Sequence, residues 1–362
     1  MPVTEAQVRQ ALKSVLDPDL HLDIVTLGFV KHVGIEGGHV ALRIELTTPA
    51  CPVKEQLKAQ AEEAVRRVPG VTSVAAEMTA VVKGSGRLPV AGDLAPQVKN
   101  FIAVGAGKGG VGKSTVAVNL AISLLQSGAS VGVMDGDVYG PSVPKMLGNE
   151  QRPQALDDKH IRPNEAHGLK LMSMGLILDP DKPVVWRGPI VHTAIRQFLG
   201  DVVWGPLDYL VIDLPPGTGD VALTLAQAIP VTGAVVVCTP QDVALLDVRK
   251  AVAMFRQLKI PILGLVENMS FYACPSCGKR DDIFGHGGAE AWAREQGIPF
   301  LGAIPLHAQV RVGGDAGLPA SLDPKAPEAV KAAFRSCASE LARQVSILNL
   351  SRPIAGALEI AR

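Results

Sequence analysis

The pattern of apolar and polar positions divides the chain into a short first part and a longer second part. In the first part, a capping box at Thr4-x-x-Gln7 opens a helical pattern, and strict alternation over residues 40–46 predicts a half-buried strand. A second helical pattern covers residues 53–68, and a last strand is predicted over 71–82. We interpret residues 1–82 as a small α+β domain with the order α-β-β-α-β.

The second part repeats a short apolar run followed by a helical pattern. Such runs are typical of buried parallel strands, and they occur at 101–104, 131–135, 209–213, 234–237 and 262–266. The repeat predicts a P-loop type α/β domain over residues 101–345, with a mainly parallel, doubly wound sheet. The remaining segments are predicted as a linker at 83–100, an insertion loop at 149–168 and a C-terminal tail at 346–362.

Composition excludes several classes of partner. Lys plus Arg and Asp plus Glu are equal at 35 each among 362 residues, so no net charge favours nucleic acid or an acidic membrane. No apolar run approaches the length of a membrane span, and the first ten residues lack the pattern of a signal peptide. The five cysteines do not form a disulfide framework. We therefore expect a cytoplasmic protein with no membrane or nucleic-acid partner.

The strongest chemical motif follows the first apolar run of the second part. A complete P-loop pattern reads Gly107-Lys108-Gly109-Gly110-Val111-Gly112-Lys113-Ser114-Thr115. Its glycines allow backbone N–H groups to converge on phosphates, and the helix that follows adds the positive end of its dipole. Lys113 is predicted to reach the outer phosphates and Ser114 to offer its hydroxyl to Mg²⁺.

Carboxylates end two of the predicted strands. Asp135 and Asp137 follow one strand, and Asp213 ends another in a Walker B arrangement. Because ligands of doubly wound sheets bind at the carboxyl ends of strands, these acids should face the phosphates, with Asp213 holding Mg²⁺. Residues 217–220 are predicted to sense the γ-phosphate. Solvated turn carboxylates and a structural aspartate at a strand end are the alternatives.

Cys274 and Cys277 form a C-x-x-C motif on a glycine-ended turn. Two thiolates at this spacing chelate one metal or cluster, and two copies of the chain would supply the four that a [4Fe–4S] cluster or a shared zinc takes. A structural zinc knuckle and a redox pair are the alternatives. Cys51 is predicted at a helix N-terminus, which would lower the pKa of its thiol, although a buried inert thiol fits the position equally.

The P-loop GKGGVGKST resembles the deviant loop of the MinD/ParA/NifH class of ATPases. The resemblance implies that Lys108 reaches the nucleotide of the other subunit in an ATP-sandwich homodimer. It also implies that Asp137 orients the attacking water as part of switch I, that Asp135 helps the Mg²⁺ shell, and that Asn268 reads adenine.

Five motifs in one order resemble the Mrp/ApbC-type iron–sulfur cluster carriers: GKGGVGKST, MDGDVYGPSVP, WRGP, VIDLPPGTGD and ENMSFYACPSCG. The N-terminal segments LDPDL, DIVTLGFV and TTPACPVKEQL resemble a SufT-like domain, in which the cysteine matching Cys51 is functionally important. The resemblance implies an ATPase with ATP, Mg²⁺ and a [4Fe–4S] cluster. Its expected partners are a second copy, a cluster donor and apo iron–sulfur proteins.

A second hypothesis comes from a different class of protein. A MinD/ParA-like positioning ATPase with a structural zinc at the C-x-x-C motif would share the P-loop. That class requires an amphipathic C-terminal helix or a basic face. Pro353 interrupts the only candidate tail and the net charge is zero, so we favour the carrier.

Overall fold

The computed structural model describes residues 2–84, 93–138, 140–177, 188–217, 219–274 and 277–351. Contacts divide these residues into two units, one built from residues 2–83 with 346–351 and the other from those between 84 and 345. Each unit has its own sheet and its own hydrophobic core. Trp186 and Arg187 of the WRGP motif lie outside the described residues, as does Pro353.

The first unit has the predicted order of elements. These are α1 (Glu5–Leu12), β1 (Val30–Glu36), β2 (His39–Leu46), α2 (Lys54–Arg66) and β3 (Ser73–Ala80). The central strand β2 pairs antiparallel with β1 and parallel with β3. Its alternate residues, such as Leu42 and Ile44, are buried against apolar residues of both helices, such as Leu12 and Leu57. The period-two pattern therefore places one face of the sheet against the helices.

The second unit alternates strands and helices. Its elements are β4 (Val98–Ala106), α3 (Lys113–Gln126), β5 (Val131–Asp135), α4 (Val143–Met146), β6 (Gln154–Ala155), β7 (Ile161–Arg162), β8 (Asn164–Ala166), β9 (Leu169–Ser173), α5 (Gly188–Gly200), β10 (Leu207–Asp213), α6 (Asp220–Ala228), β11 (Gly233–Cys238), α7 (Asp242–Gln257), β12 (Ile262–Ala273), β13 (Arg280–Asp281), α8 (Gly288–Glu295), β14 (Phe300–Leu306), α9 (Ala308–Asp315) and α10 (Glu328–Ser351). The last part of α10, residues 346–351, belongs to the first unit. A 3₁₀ turn covers Met174–Leu176.

The large sheet is mainly parallel, as predicted. Among the described residues its strand order is β13-β12-β11-β4-β10-β5-β9-β8, and β14 also pairs with β12. Only the pairings of β13 with β12 and of β8 with β9 are antiparallel. Asp213 of β10 lies in register with Asp135 of β5 and with Val104 of β4. The carboxyl ends of three neighbouring strands therefore meet at one edge of the sheet.

Both faces of this sheet are covered, which explains the continuous apolar runs. Phe101 and Ala103 of β4 face a core shared with α5, α6, α7 and α8. The alternate residues Ile102 and Val104 are also fully buried, and α3 contacts β4, β5 and β10. Successive side chains of a strand point to opposite faces, so α3 covers the second face.

Three boundary predictions need correction. Residues 149–168 are not only a loop, because they hold β6, β7 and β8. The predicted linker ends earlier than residue 100, because β4 begins at Val98 to pair with β10 and β11. The tail is helical as far as Ser351, because α10 continues with Leu350 packed in the core of the first unit.

No helix in the described part of the chain combines the length and the apolar character needed to cross a bilayer.

Candidate functional site

The predicted P-loop connects β4 to α3 at the carboxyl edge of the parallel sheet. Gly110 and Gly112 have φ angles of 80° and 79°, a left-handed conformation that suits glycine. Gly112 caps α3, whose first turn contains Lys113, Ser114 and Thr115. The free N–H groups of this turn and the positive end of the helix dipole make the loop an anion site.

The first glycine of the loop is required for packing. A Cβ atom on Gly107 would lie 2.2 Å from the backbone oxygen of Asp247 on α7, whereas one on Gly109 would meet nothing within 4 Å. The loop therefore starts in direct contact with α7. The sequence predicted Gly107 as part of the nucleotide site, but the approach of α7 became visible only in the fold.

Lys113 is buried among the carboxylates at the strand ends, with only 7% of its surface exposed. Its Nζ donates to Oδ1 of Asp213 at 2.6 Å and to the hydroxyl of Ser114 at 3.2 Å. Oδ2 of Asp137 lies 4.0 Å from the same nitrogen. An unpaired buried charge is costly, so Asp213 holds Lys113 in place within the sheet edge.

Asp135 supports the segment that carries Asp137. Its Oδ1 accepts the backbone N–H of Asp137 at 3.1 Å. Its Oδ2 accepts the backbone N–H of Val143 at 3.3 Å and the hydroxyl of Ser173 at 3.1 Å. Burial, followed by the nearby charge of Asp213, raises the pKa of Asp135 to about 7. The predicted role of Asp135 in a Mg²⁺ shell stays a prediction.

The oxygens around Lys113 fit a magnesium ion. Among the described residues, Oδ2 of Asp213 is a buried oxygen without a hydrogen-bond partner. With the Ser114 hydroxyl it offers the hard oxygen ligands that Mg²⁺ takes together with water and phosphate oxygens. The same residues contain no group of three or more His, Cys, Asp or Glu side chains that could hold a metal. The donor set therefore fits a Mg²⁺ ion that phosphate oxygens help to coordinate.

A cleft of about 520 Å³ opens beside the P-loop. Gly112 and Thr115 line one side, and Asn268 and Met269 of β12 line another. The Asn268 amide donates to the backbone oxygen of Val111 at 2.8 Å, so it also holds the loop. The sequence predicted Asn268 in this place. It missed the two other walls, which come from residues 141–146 and 305–315. The motif MDGDVYGPSVP contains Pro141 and Ser142 but was not interpreted as part of a cleft, and no motif marks residues 305–315.

The segment after β10 returns to the P-loop. Gly217 has a φ of 90°, and its N–H donates to the backbone oxygen of Ala106 at 3.0 Å. Thr218 and the side chain of Asp220 lie outside the described residues. The predicted sensing of the γ-phosphate by residues 217–220 therefore stays a prediction.

The C-x-x-C motif lies on the turn that joins β12 to β13. Backbone hydrogen bonds of 2.8 and 3.0 Å connect Cys274 to Gly278 and Lys279 and close the turn. Cys274 is half-buried, Cys277 is exposed, and neither forms a disulfide. Residues 275–276 lie outside the described part. The hairpin thus presents two reduced cysteines at the surface of the second unit.

Cys51 does not lie at the start of a helix. The helix α2 begins at Lys54 after its cap Val53, and the thiol is half-buried. Burial raises the pKa of Cys51, and the charge of Asp17 adds to the effect. The predicted lowering of this pKa is wrong, because the helix dipole acts only close to the first turn whereas desolvation acts on the thiolate directly.

Cys238 and Cys337 are buried, as expected of packing residues. Burial raises the pKa of Cys337 to about 12 and raises that of Cys238 as well. Both thiols are enclosed in the hydrophobic core, away from the surface. Of the four cysteines in the second unit, only Cys274 and Cys277 therefore suit a metal or cluster.

Together, the P-loop, the buried Lys113–Asp213 pair and the cleft define a P-loop nucleotide-binding protein. A family model described as NUBPL iron-transfer P-loop NTPase matches residues 97–342. A second model, described as iron–sulfur cluster assembly protein, matches residues 5–77. The two matches correspond to the two units of the structure.

The chain also resembles individual proteins over nearly its whole length. It is 49% identical to the iron–sulfur cluster carrier protein of Deinococcus radiodurans, over 94% of this chain and 96% of that protein. Identity to the carrier protein of Escherichia coli K12 is 43%, over 94% and 92%. A solved nucleotide-binding protein from Archaeoglobus fulgidus, in complex with ADP, is 42% identical, with a TM-score of 0.55 over 61% of this chain and 87% of that one. The chain belongs to the iron–sulfur cluster carrier family, which confirms the family predicted from its motifs.

Gly107→Ala is expected to destabilise the nucleotide-free protein by roughly 1–3 kcal/mol, because the added methyl group must displace the backbone of Asp247. Gly109→Ala is the matched control, since its methyl group meets no atom within 4 Å. Urea denaturation would compare the free energies of unfolding. Equal stability of the two variants would contradict the close contact between the loop and α7.

The stability of the nucleotide-free protein is expected to fall as the pH rises. The pKa of Asp135 is about 7 in the folded protein, against 3.8 for an unperturbed carboxyl. Its stabilising contribution is therefore complete below pH 3.8 and is lost as the pH rises to about 7. Urea midpoints between about pH 5 and about pH 8 would measure the loss, and Asp135→Asn should reduce it. The same pH dependence in wild type and variant would disprove the assignment.

Proposed function

We propose that this protein is an ATPase that binds a [4Fe–4S] cluster as cargo between two copies of the chain and transfers it to apoproteins. One observation carries the proposal: β12 lines the nucleotide cleft with Asn268 and is followed directly by Cys274. Nucleotide and cargo would thus share one strand. ATP binding and hydrolysis would change how the two copies sit together and so how firmly they hold the cluster.

The geometry of the P-loop supports the proposed binding and hydrolysis of ATP. The loop amides would bind the phosphates of ATP, and Lys113 would exchange Asp213 for the outer phosphates. Ser114 and Asp213 would hold Mg²⁺, with Asp135 supporting the shell; when bound, this ion neutralises charge on the phosphate oxygens. Asp137 lies 4.0 Å from Lys113 and would orient the attacking water.

Two features support a homodimer formed at the P-loop. Lys108 is half-buried, and no carboxylate among the described residues pairs with it, which suits a target on another chain. The helix α7 contacts the loop at Gly107, yet it exposes Val243 and Leu246 at 68% and 56%. Large exposed apolar side chains next to a ligand site are typical of an interface.

The number of cysteine ligands supports the proposed cluster site between two copies of the chain. A [4Fe–4S] cluster takes four thiolates, and each chain offers Cys274 and Cys277. Two copies would complete the set on the dimer axis, and the exposed turn would allow release to an apoprotein. In the reducing cytoplasm these thiols stay available. The half-buried Cys51 of the first unit is proposed as an accessory residue rather than a ligand.

Replacing either Cys274 or Cys277 by alanine is expected to remove nearly all cluster, because one substitution deletes two ligands per dimer. Anaerobic reconstitution of the wild type should give about four irons per dimer and a thiolate-to-iron absorption band at about 400 nm. Both variants should still bind ATP. Cys51→Ala is the control, and it should keep the cluster.

One zinc per dimer with no uptake of iron would show that the motif is a structural site. The carrier function would then fall, whereas the nucleotide site would remain.

Lys108→Ala and Asp137→Ala are each expected to bind ATP but not to hydrolyse it. Mixing the two proteins should restore about a quarter of the wild-type turnover, because half of the dimers then contain one complete site out of two. ATPase assays before and after subunit exchange measure the recovery. No recovery despite demonstrated exchange would contradict a role for Lys108 in the site of its partner.

A further inference from the structure

The strand β12 contains a bulge between the nucleotide cleft and the cysteine hairpin. Asn268 lies opposite Ile304 of β14, but Tyr272 lies opposite Leu306, so three residues of β12 face a single residue of β14. Within this bulge, Met269 has a φ of 55°. A side-chain-bearing residue keeps such a strained backbone only where surrounding contacts hold it in place.

One side of the bulge faces the nucleotide. Asn268 and Met269 both line the cleft, and so does Pro305, the residue of β14 opposite the bulge. The Asn268 amide also donates to the backbone oxygen of Val111 in the P-loop. A nucleotide in the cleft would therefore contact both strands at the point where their pairing is irregular.

The other side of the bulge is held by a buried polar network. The hydroxyl of Ser270 donates to Oε1 of Glu267 at 2.6 Å and lies 2.9 Å from Nδ1 of His286. Since this hydroxyl has one proton, His286 must donate from Nδ1 to Ser270. Glu267 is fully buried and also accepts the N–H groups of Gly287 and Ala289 at the start of α8. The network ties the bulge to α8.

The same histidine contacts the hairpin that carries the cysteines. Its ring packs at nearly a right angle to that of Phe271, with ring centroids 6.3 Å apart and an interplanar angle of 84°. The guanidinium of Arg280 lies 4.1 Å from the centroid of the Phe271 ring. Arg280 is paired with Ala273, the residue before Cys274. His286 thus touches two residues of the bulge, Ser270 by a hydrogen bond and Phe271 by its ring.

We propose that His286 is a positioning residue of the carrier reaction, through which the bulge at residues 269–271 transmits occupancy of the nucleotide cleft to the Cys274–Cys277 hairpin. The inference deepens the proposed function and rests on it. A nucleotide that shifts Met269 must also shift Ser270 and Phe271, its neighbours in the bulge. His286 then determines whether the hairpin follows, because it links both residues to the fixed start of α8.

The test uses the reactivity of the thiols in the cluster-free protein, so it does not depend on cargo. Alkylation of Cys274 and Cys277 by iodoacetamide is followed site by site by mass spectrometry, with and without Mg²⁺ and a non-hydrolysable ATP analogue. Coupling between two sites typically changes an equilibrium by about fivefold or more, and a change of that size in the alkylation rate is expected. The buried Cys238 and Cys337 serve as unreactive references.

His286→Ala should reduce the effect of nucleotide on alkylation to less than about twofold, with the affinity for the nucleotide unchanged. His160→Ala is the matched control, because this exposed histidine also makes a hydrogen bond, to Asp157, but lies far along the chain from the hairpin. His286→Asn keeps a donor near the Nδ1 position but loses the ring contact with Phe271, so it should restore the effect only in part. Phe271→Leu, which removes the ring contacts, should abolish it.

The outcomes separate this inference from the proposed function. The inference alone would be overturned if the wild-type protein binds nucleotide and reconstitutes a cluster, but nucleotide does not change the alkylation rates of Cys274 and Cys277. The inference also fails if His286→Ala keeps the wild-type ratio, or if it simply loses nucleotide binding. Protein that does not bind nucleotide at all would overturn both.

Discussion

The buried ion pair between Lys113 and Asp213 joins the P-loop helix to the centre of the sheet. Its 2.6 Å contact forms because β10 lies between β4 and β5, which places Asp213 beneath the first turn of α3. Two further carboxylates lie at the same edge: Oδ2 of Asp137 is 4.0 Å from Nζ of Lys113, and Asp135 lies in register beside Asp213. One positive charge among three acids leaves an excess of negative charge when all three are ionised. Burial, followed by the charge of Asp213, raises the pKa of Asp135. A magnesium ion would balance this excess, which agrees with the proposed binding of a metal-bound nucleotide.

The strand β12 connects this arrangement to Cys274 and Cys277, the proposed site of the cargo. Its middle lines the cleft, its bulge is tied to α8 through Glu267, and its end leads directly to Cys274. Because a strand pairs along its length with neighbours on both sides, movement at one point is constrained by the sheet and concentrates where pairing is irregular. The bulge at residues 269–271 is one such place. The second unit therefore contains both halves of the proposed function within one continuous element.

Most of the second unit and the main site residues could be predicted from local pattern. Apolar runs that end in glycine or aspartate identify strand ends, and strand ends of a parallel sheet meet at one edge, so Lys113, Ser114 and Asp213 come together as predicted. The prediction for Cys51 was wrong because the short-range effect of a helix dipole was assigned to a residue outside the helix. Cys51 was placed at a helix start by its neighbours in sequence, but α2 begins three residues later and the thiol is desolvated.

The sequence alone determined the order of elements, the phosphate loop and the two cysteines, because glycine spacing, strand periodicity and thiol spacing are local properties. Only the tertiary structure showed that a side chain at position 107 would clash with α7, and that residues 305–315 form a wall of the cleft. It also showed that His286 contacts both Ser270 and Phe271. The physical reason is that these contacts join segments far apart in the chain. Their geometry depends on how strands are ordered in the sheet, which no local pattern of residues records.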